Sequence, residues 1–273
     1  MEKFPIGVFD SGVGGLSVLR EIRTLLPAQP VYYFADQAHV PYGSRQIEEV
    51  RAFSHGITRY LLNLGARLIV VACNTASVAS LSSLREEYPH IPFVGMEPAV
   101  KPAAEQSHNG RVGVLATEAT FHTAMYASVV ERFARDVILL EDPCPGLVAQ
   151  VEKGDLNGEQ TRTILMKAID PMLAAGVDTI VMGCTHYPFV IPLIQSIAGP
   201  DVRVIDPAPA IARQTRRMLE AHDLLAGGKR KAAAHFITSG EAGSFKKILQ
   251  LLINVKRPVK QVTWQNGNVV DLA

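Results

Sequence analysis

Leu64-Gly65-Ala66-Arg67-Leu68-Ile69-Val70-Val71-Ala72-Cys73-Asn74-Thr75 and Ala175-Gly176-Val177-Asp178-Thr179-Ile180-Val181-Met182-Gly183-Cys184-Thr185-His186 follow one plan. From Gly65 to Gly176 and from Cys73 to Cys184 the offset is the same, 111 residues. Each stretch reads as a helix end, a glycine, a short apolar run, a cysteine and a polar residue of the kind that opens helices. The apolar runs do not alternate with polar residues. Both faces of such strands are therefore covered, as in a parallel sheet flanked by helices. A looser pair, Gly7-Val8-Phe9-Asp10-Ser11 against Gly113-Val114-Leu115-Ala116-Thr117, recurs in the same order. Two matches in one order predict two related halves.

Outward from these stretches, β-rich runs alternate with helical patterns along the chain. Strands are expected at 5–9, 31–35, 67–72, 111–115, 136–140, 178–182, 202–205, 234–237 and 259–263, with helices at 44–64, 159–175 and 208–222 among the segments between. That alternation predicts an α/β fold. The expected architecture is two pseudo-symmetric α/β domains with mainly parallel sheets and an active site in the cleft between them. Proline-marked breaks at Glu97-Pro98 and Asp206-Pro207 give a first domain of 1–97 plus 207–273 and a second of 98–206. Gly227-Gly228-Lys229-Arg230-Lys231 reads as a solvated basic connector.

Composition narrows the class. With 273 residues, 48% hydrophobic, the chain has material for one large core or two small ones and is not disordered. A formal net charge of +1 gives no strong positive field, so no nucleic-acid partner is required. No apolar run reaches the ~18 residues of a membrane span. The opening Met1-Glu2-Lys3-Phe4-Pro5 has no secretory core. Three cysteines do not make a disulfide framework, which points to a reducing cytoplasm and free thiols.

Ligands of open α/β sheets bind beyond the carboxyl ends of strands, and four features stand there. Asp10-Ser11-Gly12-Val13-Gly14-Gly15 is a tight turn into a helix that presents N–H groups to an anion, or a bare connection. It lacks the third glycine of a dinucleotide fingerprint and a phosphate-binding lysine. Cys73-Asn74-Thr75 and Cys184-Thr185-His186 put a thiol at a helix start, where thiolate is favoured; singly, either is equally a small buried apolar group. Asp36-Gln37-Ala38-His39-Val40-Pro41-Tyr42-Gly43-Ser44 is a polar loop, or an ordinary turn with Ser44 capping the next helix. Two cysteines without Cys-x-x-Cys spacing do not suit a disulfide oxidoreductase. Cys73, Cys184 and His186 are too few for a zinc site, so no metal is expected. A Cys–His hydrolase built on Cys184 and His186 leaves Cys73 unexplained. What remains is an acid/base pair on opposite sides of one carbon: one thiolate removes a proton and the other thiol returns one, inverting the centre. Asp10, Asp36 and Glu152 are candidate assisting carboxylates, and His186 is placed to tune Cys184.

These motifs resemble the glutamate racemases of the aspartate/glutamate racemase superfamily. The likeness is carried by residues 7–16, 40–45, 71–76, 96–99, 114–117, 183–188, 205–208 and 238–240, nearly the whole chain. It implies interconversion of L- and D-glutamate without pyridoxal phosphate or any other cofactor. Cys73 would handle the α-proton of D-glutamate and Cys184 that of L-glutamate. Asp10 and His186 would assist the thiols, with Asp36 and Glu152 also in the catalytic set. Substrate contacts would fall on Asp10, Ser11, Pro41, Tyr42, Gly43, Ser44, Asn74, Thr75, Thr117, Thr120, Thr185 and His186. The resemblance further implies a cytoplasmic homodimer supplying D-glutamate for peptidoglycan. An aspartate or other acidic amino-acid racemase of the same superfamily is the alternative. Cys144, in Pro143-Cys144-Pro145-Gly146, has no assigned job and reads as structural.

Overall fold

The computed structural model describes residues 4–97, 99–228 and 230–272. Readings that touch residues 1–3, Pro98 and Lys229 lie outside them. The strands are β1 (Ile6–Asp10), β2 (Val31–Ala35), β3 (Leu68–Val71), β4 (Phe93–Gly95), β5 (Arg111–Leu115), β6 (Ile138–Asp142), β7 (Thr179–Met182), β8 (Arg203–Ile205), β9 (Ala234–Thr238), β10 (Val259–Gln265) and β11 (Asn268–Asp271). The chain divides into two compact units, Met1–Met96 with Ala208–Ala273, and Glu97–Pro207.

The first unit holds a seven-stranded sheet in the order β11-β10-β9-β2-β1-β3-β4; the second holds four strands in the order β6-β5-β7-β8. Every pairing is parallel except the β10–β11 hairpin. Within the first sheet, β2-β1-β3-β4 repeats the order β6-β5-β7-β8 of the second. The architecture is α/β with mainly parallel sheets, as the strand–helix alternation predicts.

The repeat in sequence is also a repeat in hydrogen bonding. Helix Ile47–Asn63 ends with Gly65 at φ 91°, its N–H on Leu62 O at 2.9 Å and Ala66 N–H on Leu61 O at 3.1 Å. Helix Glu159–Ala174 ends with Gly176 at φ 78°, its N–H on Leu173 O at 2.9 Å and Val177 N–H on Met172 O at 3.0 Å. Both are paired-bond helix stops whose left-handed residue has to be glycine. Each stop aims the chain into the strand that leads to a cysteine, β3 or β7. The neighbouring strand carries a matching notch. A Cβ on Gly7 of β1 would stand 2.8 Å from Ile69 Cδ1 and 3.1 Å from Leu61 Cδ1. A Cβ on Gly113 of β5 would stand 2.6 Å from Met172 Sδ and 3.3 Å from Ile180 Cγ1. Leu61 and Met172, like Ile69 and Ile180, are equivalent positions of the repeat, so each glycine lets the same helix settle on the same strand.

The core of the first unit gathers Phe9, Phe34, Ile57, Leu61, Ile69 and Val71 between sheet and helices. That of the second is smaller and includes Val112, Val114, Tyr126 and Val181. Two details depart from the sequence reading. The helix expected from Ser44 starts at Ile47, because Tyr42–Ser44 forms a 3-10 turn and the N–H of Gln46 donates to Glu49 Oε2 at 3.2 Å. Strands β4 and β11 were not anticipated: β4 has three residues, and β11 follows a tight Asn266-Gly267 turn with both residues at positive φ.

Candidate active site

The carboxyl edge of the first sheet collects one group of side chains. Asp10 ends β1, fully buried, and Gly12 N–H donates to its Oδ2 at 2.9 Å. Ser11, also buried, follows, and helix Leu16–Leu25 begins directly after Gly15. A Cβ on Gly15 would lie 2.7 Å from Asp10 Cβ and 3.2 Å from Ala72 Cβ, so only glycine allows this turn to fold over the strand ends. Tyr33 from β2 donates to Gly12 O at 2.8 Å and pins the turn.

Cys73 leaves β3 and caps helix Asn74–Glu87; its sulfur accepts the Ala76 N–H at 3.5 Å. A sulfur at the start of a 14-residue helix, receiving a backbone donor, is in a place that favours negative charge. Asn74 is buried, and its Oδ1 has no hydrogen-bond partner among the described residues. A buried acceptor without a donor is costly unless something fills it, and an ammonium group would. Thr75 is half-buried beside it.

Asp36 follows β2 and is fully buried. Its Oδ2 accepts from Tyr42 Oη at 2.6 Å and faces His39 Nδ1 at 2.9 Å; its Oδ1 accepts from Ser239 Oγ at 2.7 Å and Trp264 Nε1 at 2.8 Å. Pro41, after a cis Val40–Pro41 bond, leads into the 3-10 turn of Tyr42, Gly43 and Ser44. Burial first, then the Asp36 charge and hydrogen bond, then Cys73 and Asp10, push the Tyr42 phenol well above its ordinary value. Tyr42 therefore stays protonated and donates.

The second sheet presents its own group. Gly183 follows β7; a Cβ there would meet Ala116 Cβ at 2.6 Å. Cys184, Thr185 and His186 come next, all buried. Cys184 Sγ lies 3.8 Å from His186 Nδ1, and His186 Nε2 lies 2.7 Å from Oε1 of Glu152, which helix Leu147–Lys153 supplies. An ionised carboxylate only accepts, so Nε2 carries the proton. Nδ1 then either accepts from a Cys184 thiol or donates to its thiolate; the two states differ by the place of one proton. Burial alone would lower the imidazole; the hydrogen bonds and charges of Cys184 and Glu152 outweigh it and hold His186 well above its ordinary value. Thr117 Oγ1 and Thr120 Oγ1 are 2.9 Å apart after β5.

Tyr187, buried next in the chain, donates to Pro143 O at 3.0 Å and ties the loop that carries Cys144 to this edge. Cys144 has φ 44° and its N–H on Asp142 Oδ1 at 2.7 Å. Burial, then the Asp142 charge, push its thiol far up, so it stays neutral. All three cysteines are free.

The predicted site residues thus form two sets, each at the carboxyl end of one sheet: Asp10, Ser11, Asp36, Pro41, Tyr42, Gly43, Ser44, Cys73, Asn74 and Thr75, then Thr117, Thr120, Glu152, Cys184, Thr185 and His186. Sequence reasoning missed Ser239 and Trp264 as partners of Asp36. They lie 203 and 228 residues from it; Ser239 falls in the 238–240 motif, but nothing local ties either residue to Asp36. Among the described residues no His, Cys, Asp and Glu side chains cluster as a metal site, and no helix is long and apolar enough to cross a membrane.

A parallel α/β unit with a buried thiol just beyond the carboxyl end of one strand, in a chain that repeats the plan, defines a class. The family profile described as Asp/Glu/Hydantoin racemase matches residues 6–215, and the chain belongs to that family. Within it the chain sides with the glutamate racemases and is an enzyme of that branch. It is 51% identical over 251 residues to the glutamate racemase of Pseudomonas paraeruginosa, covering 92% of this chain and 94% of that one. A glutamate racemase isoform from Bacillus anthracis superposes with a TM-score of 0.86 at 30% identity, over 98% of this chain and 99% of that one. The Escherichia coli glutamate racemase, solved with L-glutamate and the activator UDP-MurNAc-Ala, gives 0.84 at 31% identity, over 98% of this chain and all of the other.

Proposed function

We propose that the chain interconverts L- and D-glutamate by two-base proton transfer between Cys73 and Cys184, without a cofactor. In one direction the Cys73 thiolate takes the α-proton of D-glutamate, forming its S–H bond as the Cα–H bond breaks. The electron pair spreads into the α-carboxylate. The Cys184 thiol then gives its proton to the opposite face of the carbon, its S–H pair staying on sulfur as thiolate. The reverse direction exchanges the roles.

The cysteine pair at equivalent strand ends carries this reading. Each sulfur has the support its task needs. Ala76 N–H and the helix start stabilise charge on Cys73. His186, fixed in one tautomer by Glu152, shares a proton with Cys184. Substrate carboxylates suit the N–H groups near Ser11, Asn74, Thr75, Thr185 and His186, with Thr117 and Thr120 hydroxyls beside them. The ammonium suits Asn74 Oδ1 and the Asp10 carboxylate. Pro41, Tyr42, Gly43 and Ser44 would border the substrate on the Cys73 side. The rest of the proposed role is a cytoplasmic homodimer providing D-glutamate for peptidoglycan and cell shape, as the resemblance to the glutamate racemases implies.

The test is incubation of the purified protein with L-glutamate in heavy water, without added cofactor, following optical rotation and deuterium at the α-carbon. Loss of rotation with solvent deuterium in the D-product is expected. Binding without exchange, or exchange only with added pyridoxal phosphate, overturns the reading. Faster turnover of aspartate than glutamate in a parallel arm would reassign the substrate.

A further inference from the structure

Asp36 has a full complement of partners. A carboxylate has room for about four hydrogen bonds, and His39, Tyr42, Ser239 and Trp264 occupy those places. So engaged, it is well placed to hold other groups still. His39 and Tyr42 belong to the loop before the 3-10 turn and to the turn itself. Tyr42 shares a buried cluster with Cys73. Ser239 follows β9 and Trp264 lies in β10, so the late part of the chain fastens the early loop.

Trp264 is seated by more than its indole N–H. Its ring lies 5.5 Å from Phe53 and edge-on to His39 at 5.2 Å, while His39 stacks on Phe53 at 3.9 Å. Helix Ile47–Asn63 makes room for it with Gly56: a Cβ there would stand 2.8 Å from Trp264 Cζ3. A notch, an aromatic box and a buried acceptor all fit one indole.

We propose that Trp264 is a positioning residue for Cys73: with Ser239 it locks Asp36 Oδ1, so that Oδ2 holds Tyr42 and the 41–44 loop against the Cys73 thiol. The proposal rests on the reading of Cys73 as one of two bases. W264F keeps a ring in the box and removes the donor. Loss of one hydrogen bond to a charged group predicts a fall in kcat/KM on the order of tenfold. Enantiomers have equal free energy, so kcat/KM falls equally in both directions, and the α-deuterium isotope effects supply the discriminating readout. Slowing the Cys73 step raises the effect on kcat/KM with D-glutamate, where Cys73 abstracts, and lowers it with L-glutamate. A merely structural loss reduces the active fraction and leaves both effects where they were. In a D36N background the cost of W264F shrinks to less than about twofold if the two act through each other.

The chain has one tryptophan, so nitrogen-15 labelling gives a single indole N–H resonance, observable without substrate. D36N is expected to shift that resonance and speed its exchange with solvent. Unmoved isotope effects in W264F, an equal cost in both backgrounds, or an indole resonance indifferent to D36N overturns the proposal. Should W264F not fold, S239A is read in the same way, with a smaller shift of the isotope effects expected and no shift decisive against. A wild-type protein that fails to exchange the α-proton would instead sink the two-base reading, and the indole resonance would still decide the anchor.

Discussion

Glu152→Gln probes the proposed proton path at its firmest contact, His186 with Glu152. The carboxylate faces His186 Nε2 at 2.7 Å, and the side chains of His186 and Glu152 are only 3% and 12% exposed, so solvent screens the pair little. Glutamine keeps the shape and removes the charge. A hydrogen bond to a charged partner contributes about 1.5–3 kcal/mol. Without that charge the His186 titration is expected to move down from its raised position. The sign for stability follows. A histidine raised in the folded state stabilises fully below its unfolded value of about 6.5 and loses that contribution as pH rises through the folded value. In E152Q the contribution is smaller, so the variant falls behind the wild type by its full amount at pH below its own lowered titration, and the gap closes as pH rises toward the wild-type titration. The assay is the titration of the His186 ring in labelled protein, assigned by its disappearance in H186N, together with kcat/KM for glutamate against pH. A tenfold or greater fall in kcat/KM near neutrality is expected. A ring that titrates within a few tenths of a pH unit of the wild type would refute that path.

Other perturbations follow from particular contacts. Cys73→Ser and Cys184→Ser should each depress racemisation by about 10²–10⁴, the usual contribution of a general acid or base; near-wild-type turnover by either would remove that sulfur from the mechanism. Gly15→Ala forces a methyl against Asp10 and should cost about 1–3 kcal/mol in urea unfolding, and an unchanged midpoint would contradict the packing of that turn. Gly7→Ala should destabilise by a similar amount, and Ile69→Val, which deletes the Cδ1 atom 2.8 Å away, should recover part of the loss in the double variant; strict additivity would argue against the notch. Tyr187→Phe leaves the Pro143 carbonyl without its donor and should lower stability by about 1–3 kcal/mol, seen as earlier proteolysis of the 143–146 loop; equal cleavage rates would count against it.

Much of the fold could be read because local chemistry dictated it. Val31–Ala35 and Arg111–Leu115 occupy the expected strands residue for residue, since both are apolar runs bounded by turn formers. The helix stops at Gly65 and Gly176 were visible as glycines after helical patterns. Phe93–Gly95 was not, being too short to show any period. The Asn266-Gly267 turn carried a hairpin signal that the strand reading passed over. For the site, Cys73, Cys184 and Asp10 stand out because each ends a strand. The helix start after the 41–44 loop was misplaced because Ser44 and Gln46 are both polar and only the Glu49 side chain decides between them. The partners of Asp36 were invisible because they come from β9 and β10, and contacts across two hundred residues leave no trace in sequence spacing.

The second unit is a single uninterrupted stretch of chain set between β4 and the helix at Ala208–Ala221, whereas β2 must wait for β9, whose residues come about two hundred positions later. At ribosomal speeds of about 5–20 residues per second, that interval is roughly 10–40 s. During it, Val31–Ala35 offers an unsatisfied edge of almost pure β-forming residues, the sort of surface that recruits stray strands. The inserted unit has all its strands in hand well before then. Newborn molecules thus carry that bare edge while every strand of the second unit is already made, and C-terminally truncated chains ending before Ala234 keep it.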